Sequence, residues 1–140
     1  MSFRRYFSAV AAVYLIYEII SYAVNSLLLN ECFTELSSVW RPDMKNKMYI
    51  MYGTDLLFTL FFTAIYTRWS RKFTVASGIL YGLMVALMMN TTTLINQWVM
   101  FPLTDHMTLL WIFFGLLQFV LCGIVLGAIY RPEKKIIDNN

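Results

Sequence analysis

Charge is the scarcest property of this 140-residue sequence. Asp, Glu, Lys and Arg make up 14% of it, against about a quarter in soluble domains. Hydrophobic residues make up 59% and mean hydropathy is +0.61. A chain so short of charge cannot cover a globular surface for water, which excludes an ordinary soluble domain. Histidine occurs once, as His106, and cysteine twice, as Cys32 and Cys122. One His beside Asp105 and two distant Cys give no metal-ligand spacing. Cys32 falls in a loop and Cys122 deep in an apolar run, so their different depths argue against a disulfide. The sequence also lacks a Gly-rich phosphate loop, a nucleophile elbow and a paired-His motif. The expectation is a non-enzymatic protein with no catalytic residue, cofactor or metal. The net charge of +3 does not indicate nucleic acid, because the basic residues stand at the ends of apolar runs and act there as topology signals.

Four apolar runs are present, over about residues 6–29, 48–67, 73–101 and 107–130. Each has about the 20 residues that cross a bilayer. The third is longer than needed, which predicts a tilt or kink. The first follows Arg4-Arg5 and resembles a signal peptide. It is too long for an h-region of about 7–15 residues and no small-x-small site closes it, so a retained helix is expected. Apolar faces all round, with Gly, Ala and Ser at close-approach positions, predict helices and not barrel strands. The expected fold is all-α: a single four-helix transmembrane domain over 1–140, running up-down-up-down.

Arg4, Arg5, Arg68, Arg71, Lys72, Arg131, Lys134 and Lys135 would lie on one side, and Arg41, Lys45 and Lys47 on the other. The positive-inside rule puts the richer side, and both termini, in the cytoplasm. The long external loop is 30–47. Within it Phe33, Leu36, Val39 and Trp40 recur at helical spacing, which predicts a short helix lying in the outer interface. Pro42 suits the first turn of the second helix, with Asp43 favourable beside its dipole. Thr104 or Asp105 is the expected N-cap of the fourth, and the tail from Arg131 is expected to fray. Tyr6, Tyr66, Trp69 and Tyr130 would form the inner aromatic belt, and Trp40, Tyr49, Trp98 and Trp111 the outer one.

Each run has an interior-looking face. The first presents Tyr14, Glu18, Ser21, Tyr22 and Asn25, and the second Tyr52, Asp55, Thr59, Thr63 and Tyr66. The third presents Gly78, Tyr81, Gly82, Ala86, Asn90, Thr93 and Gln97, and the fourth Gly115, Gln118, Cys122 and Gly123. Gly78-x-x-x-Gly82-x-x-x-Ala86 and Gly123-x-x-x-Gly127 predict close helix contact.

Glu18 carries the sharpest signal. A carboxylate near mid-bilayer costs roughly 2.5 kcal/mol or more. No Lys or Arg falls within any of the four runs. Only neutral partners such as Tyr14, Tyr17, Asn90 and Gln118 remain, so a neutral, hydrogen-bonded acid is expected. It is read either as a proton or cation site or as a packing residue. Asp55 lies nearer the outer end, within reach of a loop partner such as Arg41. Asn90, Asn96 and Gln97 suit hydrogen bonds between helices. The candidate intramembrane polar site is Glu18, Tyr14, Asn25, Asp55, Asn90 and Gln118.

Four short helices with a glutamate in the first resemble small multidrug-resistance transporters, but Ile16-Tyr17-Glu18-Ile19-Ile20 does not lead into that family's end of helix one, and 30–47 replaces a short loop. Trp40-Arg41-Pro42, Tyr81-Gly82-Leu83 and Tyr130-Arg131-Pro132 resemble a family of small, uncharacterised bacterial four-helix inner-membrane proteins. That resemblance implies a multi-pass inner-membrane protein and no particular activity. The leading expectation is a structural or accessory subunit or a binding protein, whose partners are the bilayer and a membrane protein or second copy of the chain, with no nucleic acid. The alternative is a small proton-linked transporter using Glu18. A cavity reaching Glu18 would favour the latter, and a filled core the former.

Overall fold

A computed structural model describes residues 3–70 and 72–131. Arg71, Pro132, Lys134, Lys135 and the tail, which carry part of the topology and family expectations, lie outside the described residues. The chain is helical: α1 (Phe3–Ala23), α2 (Asn30–Glu35), α3 (Met48–Trp69), α4 (Val75–Val85), α5 (Thr92–Met100) and α6 (Asp105–Tyr130). A π-helical turn, Val24–Leu28, extends α1. A second, Ala86–Thr91, joins α4 to α5 in one rod. Four helices are long and apolar enough to cross a membrane: Phe3–Leu28, Lys45–Trp69, Val75–Met100 and Asp105–Tyr130.

Local chemistry sets the ends. Thr104 caps α6, its hydroxyl accepting from the Met107 N–H at 3.3 Å. Thr74 and Ser77 cap α4 reciprocally, each hydroxyl accepting the other's backbone N–H at 3.1 Å. Such a box satisfies two donors that a helix start leaves free. Arg5 donates to the Ile129 carbonyl at 2.6 Å and lies over the Tyr130 ring, tying the start of α1 to the end of α6.

α6 packs against both α4 and α1, and α3 packs against α1. The glycines of α4 and α6 face one another, as their spacing predicts. A Cβ on Gly78 would overlap the Gly123 carbonyl, one on Gly82 the Phe119 carbonyl, and one on Gly127 the Thr74 carbonyl. In lipid, contact of this kind replaces the hydrophobic drive that water would supply. The main core joins Val13, Phe62, Tyr66, Tyr81, Phe119 and Leu126. Tyr81 donates to the Phe62 carbonyl at 2.7 Å, and the Tyr66 hydroxyl meets that of Ser77 at 3.0 Å. These bonds lock the tight-turn end of the α3/α4 pair. Toward the other end α3 stands off the bundle, and every residue from Met48 to Thr54 is exposed.

Several sequence expectations are corrected. Helix α2 ends at Glu35, and Leu36 to Val39 form turns. The segment does not lie apart: Phe33 and Trp40 fold onto Trp111, with ring centroids 6.0 and 6.4 Å away. The Trp40 indole donates to the Phe33 carbonyl at 3.2 Å, which bends the chain back on itself. Pro42 and Asp43 lie in a turn, followed by a 3₁₀ turn at Lys45–Lys47, so α3 starts later than Pro42 suggested. Arg41 pairs with Asp43 at 3.1 Å and not with Asp55, and Lys47 also reaches Asp43, at 2.6 Å. These bonds, that from Lys47 first, hold the Asp43 carboxyl below its ordinary range. Tyr66 and Tyr130 are buried and do not form an outward-facing belt.

Candidate functional site

The half of α1 after Glu18, the exposed half of α3, α5 and the first half of α6 do not close on one another. Between them lies a cavity of about 550 Å³, roofed by Phe33, Trp40 and Met44 of the loop. Of the six polar candidates, Glu18, Asn25, Asp55, Asn90 and Gln118 line it. Tyr14 does not. Its hydroxyl reaches the Tyr52 carbonyl at 3.5 Å, a long bond between α1 and α3.

Both π turns border this space. Val24, Asn25 and Ser26 come from the first and Asn90 from the second. A π turn fits one extra residue into a helix and leaves local carbonyls in need of partners. Side chains supply donors here. Asn25 Nδ2 donates to the Ser21 carbonyl at 2.8 Å, and the Thr92 hydroxyl donates to that of Met88. The second turn also re-aims the side chains of α5. Asn90 meets α6 at Gly115, where a Cβ would overlap its amide, and Asn90 Nδ2 donates to the Ile112 carbonyl at 3.3 Å. Beyond the turn Thr93 and Asn96, expected to face inward or bridge helices, are exposed, and Leu94 lines the cavity beside Gln97, which was expected on the inner face.

Three amides, Asn25, Asn90 and Gln118, hold the walls. Gln118 Nε2 donates to the Tyr17 carbonyl and to Ser21 Oγ, both at 2.8 Å. Asn25 Oδ1 accepts from the Trp111 indole at 3.0 Å. Trp111 is therefore also a structural member of the α1/α6 seam. The acids differ. Neither Glu18 nor Asp55 has an ion-pair partner among the described residues. Glu18 Oε1 is buried and accepts no hydrogen bond. The cavity lining contains no Lys, Arg or His. Its other walls are aromatic and thioether: Tyr17, Tyr52, Phe114 and Trp111, with Met44, Met48 and Met51. Tyr22, expected on the inner face, lines the cavity but is 68% exposed.

The place of Phe33 and Trp40 over the cavity was not legible in the sequence, nor was that of the methionines. Met44, Met48 and Met51 do stand at helical spacing, a signal that could have found them, but the long loop hid the fact that they share a wall with Glu18. An acidic space with apolar and π-rich walls can hold a positively charged organic group: carboxylates supply charge, and aromatic faces attract cations within about 6 Å of a ring centroid. Comparison with protein-family models, with curated proteins and with solved structures finds no match for the chain.

Proposed function

We propose that this chain is a small multi-pass protein of a bacterial inner membrane, with both termini cytoplasmic, that binds an organic cation between Glu18 and Asp55. The observation that carries the reading is a cavity lined by two acids and no base, in which neither acid has an ion-pair partner among the described residues. A purely structural subunit would be expected to fill this space. Two acids with no base facing them, and aromatic walls, favour a cation, and the size of the space favours an organic one. The topology reading is supported by the described basic residues: Arg4, Arg5, Arg68, Lys72 and Arg131 stand toward the tight-turn end, and Arg41, Lys45 and Lys47 toward the loop end. The cavity would then open on the outer side.

Titration of tetraphenylphosphonium into the protein in phosphatidylcholine nanodiscs tests this reading. Opposite charges about 4 Å apart are worth about 4 kcal/mol at an effective dielectric of 20, part of which desolvation offsets. Glu18→Gln and Asp55→Asn should each weaken binding about 10- to 100-fold, or 1.4–2.7 kcal/mol. Equal affinity in wild type and in the double variant would sink the reading.

Proton-linked transport is the second reading. It is favoured by the π turns on either side of the cavity, since such turns are where a helix can change register. It predicts cation uptake into proteoliposomes driven by a pH gradient and abolished by Glu18→Gln. Saturable binding with no gradient-driven flux would leave a binding protein only.

A further inference from the structure

The acidic cavity has a neighbour. On α3 it is lined by Met48, Met51, Tyr52 and Asp55. From Thr54 onward the same helix lines a second space, of about 890 Å³, which continues through Leu57, Phe61 and Ile65 to Trp69. The facing rod repeats this order. Asn90, Leu94 and Gln97 belong to the acidic cavity, while Tyr81, Met84 and Met88 belong to the second space. The change occurs between Met89 and Asn90, inside the second π turn. The two spaces share no lining residue, but they adjoin along both helices, at Thr54 and Asp55 on α3 and at Met89 and Asn90 on the rod. The first is acidic and lies under the loop. The second is lined by hydrocarbon, thioether and aromatic side chains with Thr54, and by no Asp, Glu, Lys, Arg or His among the described residues.

From this order we infer that the ligand is a long-chain cationic amphiphile taken from the bilayer, its charged head between Glu18 and Asp55 and its hydrocarbon tail in the groove between α3 and α4. The inference rests on the cation-binding reading above and adds the tail. Length agrees. From Asp55 to Trp69 the groove follows 14 residues of helix, about 21 Å at 1.5 Å per residue, which is enough for an extended alkyl chain within a hydrocarbon core of about 30 Å. Direction agrees as well. A lipid of the loop-side leaflet has its head at that surface and its tail running toward the midplane. Access does not require the loop to open, because the loop-side half of α3 stands off the bundle and its residues from Met48 to Thr54 are exposed.

The test uses the full chain in phosphatidylcholine nanodiscs and two probes: tetraphenylphosphonium, which has no tail, and hexadecyltrimethylammonium spin-labelled near its chain end. In wild type the tail label should give a motionally restricted spectrum that unlabelled hexadecyltrimethylammonium displaces. Octyltrimethylammonium should displace it about tenfold less well at equal bilayer concentration, because fewer groove contacts form. Glu18→Gln with Asp55→Asn should free the tail by releasing the head. Leu57→Trp with Met88→Trp fills the groove and should shift the affinity ratio toward the tailless cation by about tenfold. The chain-length series needs no variant, so it stands even if the filled groove fails to fold. Saturable tetraphenylphosphonium binding with a freely tumbling tail and no chain-length dependence would overturn the tail site and leave the cavity reading intact. Saturable binding of neither probe would overturn both.

Discussion

Three glycines in different surroundings should respond differently to the same added methyl group. At Gly123 a Cβ would overlap the carbonyl carbon and oxygen of Gly78 and press on the backbone nitrogen of Gly82. All three atoms belong to the backbone of a regular helix, so no rotamer change can relieve the clash and α4 must move off α6. Overpacking typically costs 1–3 kcal/mol, and the rigidity of these neighbours puts Gly123→Ala near the upper end, at about 3 kcal/mol. At Gly115 the three atoms nearest the Cβ would be those of the Asn90 amide end. That side chain can turn away, giving up its bond to the Ile112 carbonyl. Interhelical hydrogen bonds in membrane proteins average about 0.6 kcal/mol, so Gly115→Ala should cost about 1 kcal/mol. At Gly53 nothing lies within 4 Å of the added atom, and relief of a helical glycine should stabilise by up to about 1 kcal/mol. Reversible unfolding in mixed micelles, followed by circular dichroism, reads all three. A Gly123→Ala protein as stable as Gly53→Ala would refute the backbone contact between α4 and α6.

The Asn25–Trp111 bond should appear as a coupling of about 0.6 kcal/mol, and at most about 1.7, in a double-mutant cycle of Asn25→Ala and Trp111→Phe. Additive effects would mean that the two side chains do not share a bond. Asp43 gives a pH dependence outside the spans. Its folded carboxyl is held below the ordinary range by Lys47 and Arg41, so the folded state prefers it ionised. Its contribution is complete above the ordinary carboxylate range and is lost as pH falls through the lowered folded value. Protection of the amides at the start of α3, read as the ratio of intrinsic to observed exchange rate, should therefore fall on acidification, and Asp43→Asn should keep it low at all pH values. An acid-insensitive profile in the unsubstituted protein would count against the clasp.

Legibility in the sequence depended on whether local pattern decided a feature. The four long helices follow from apolar length alone, and the glycine seam from four-residue spacing. Thr59, Thr63 and Tyr66 are fully buried, as their three- and four-residue steps indicate. Five of the six polar candidates converge on one cavity because helical period is enough to put them on inner faces. The π turns had no such signature. Ala86–Thr91 reads as continuous helix, and the extra residue is accommodated through tertiary contact of Asn90 with Gly115. A period of 3.6 carried past that point placed Thr93 inside and missed Leu94. Trp111 illustrates a different limit, because tryptophan suits an interfacial belt and an interhelical bond equally, and only the position of Asn25 reveals the bond.

The polar groups of the bundle divide by function along this line. Asn25, Asn90 and Gln118 can donate, and each spends an amide N–H on a backbone carbonyl. Glu18 and Asp55 can only accept when ionised, yet none of these donors turns to them. If the acids were merely tolerated packing residues, the nearby amides would be their natural partners, since an unsatisfied buried carboxyl is among the costlier defects in a hydrocarbon setting. Instead these three amides brace the walls of the cavity, and Glu18 Oε1 is left buried without a hydrogen bond. A ligand bearing donors or positive charge would partner the acids, and the aromatic and methionine walls add affinity for the apolar groups such a ligand carries. This distribution supports the proposed reading, in which the last partner of the site comes from outside the chain.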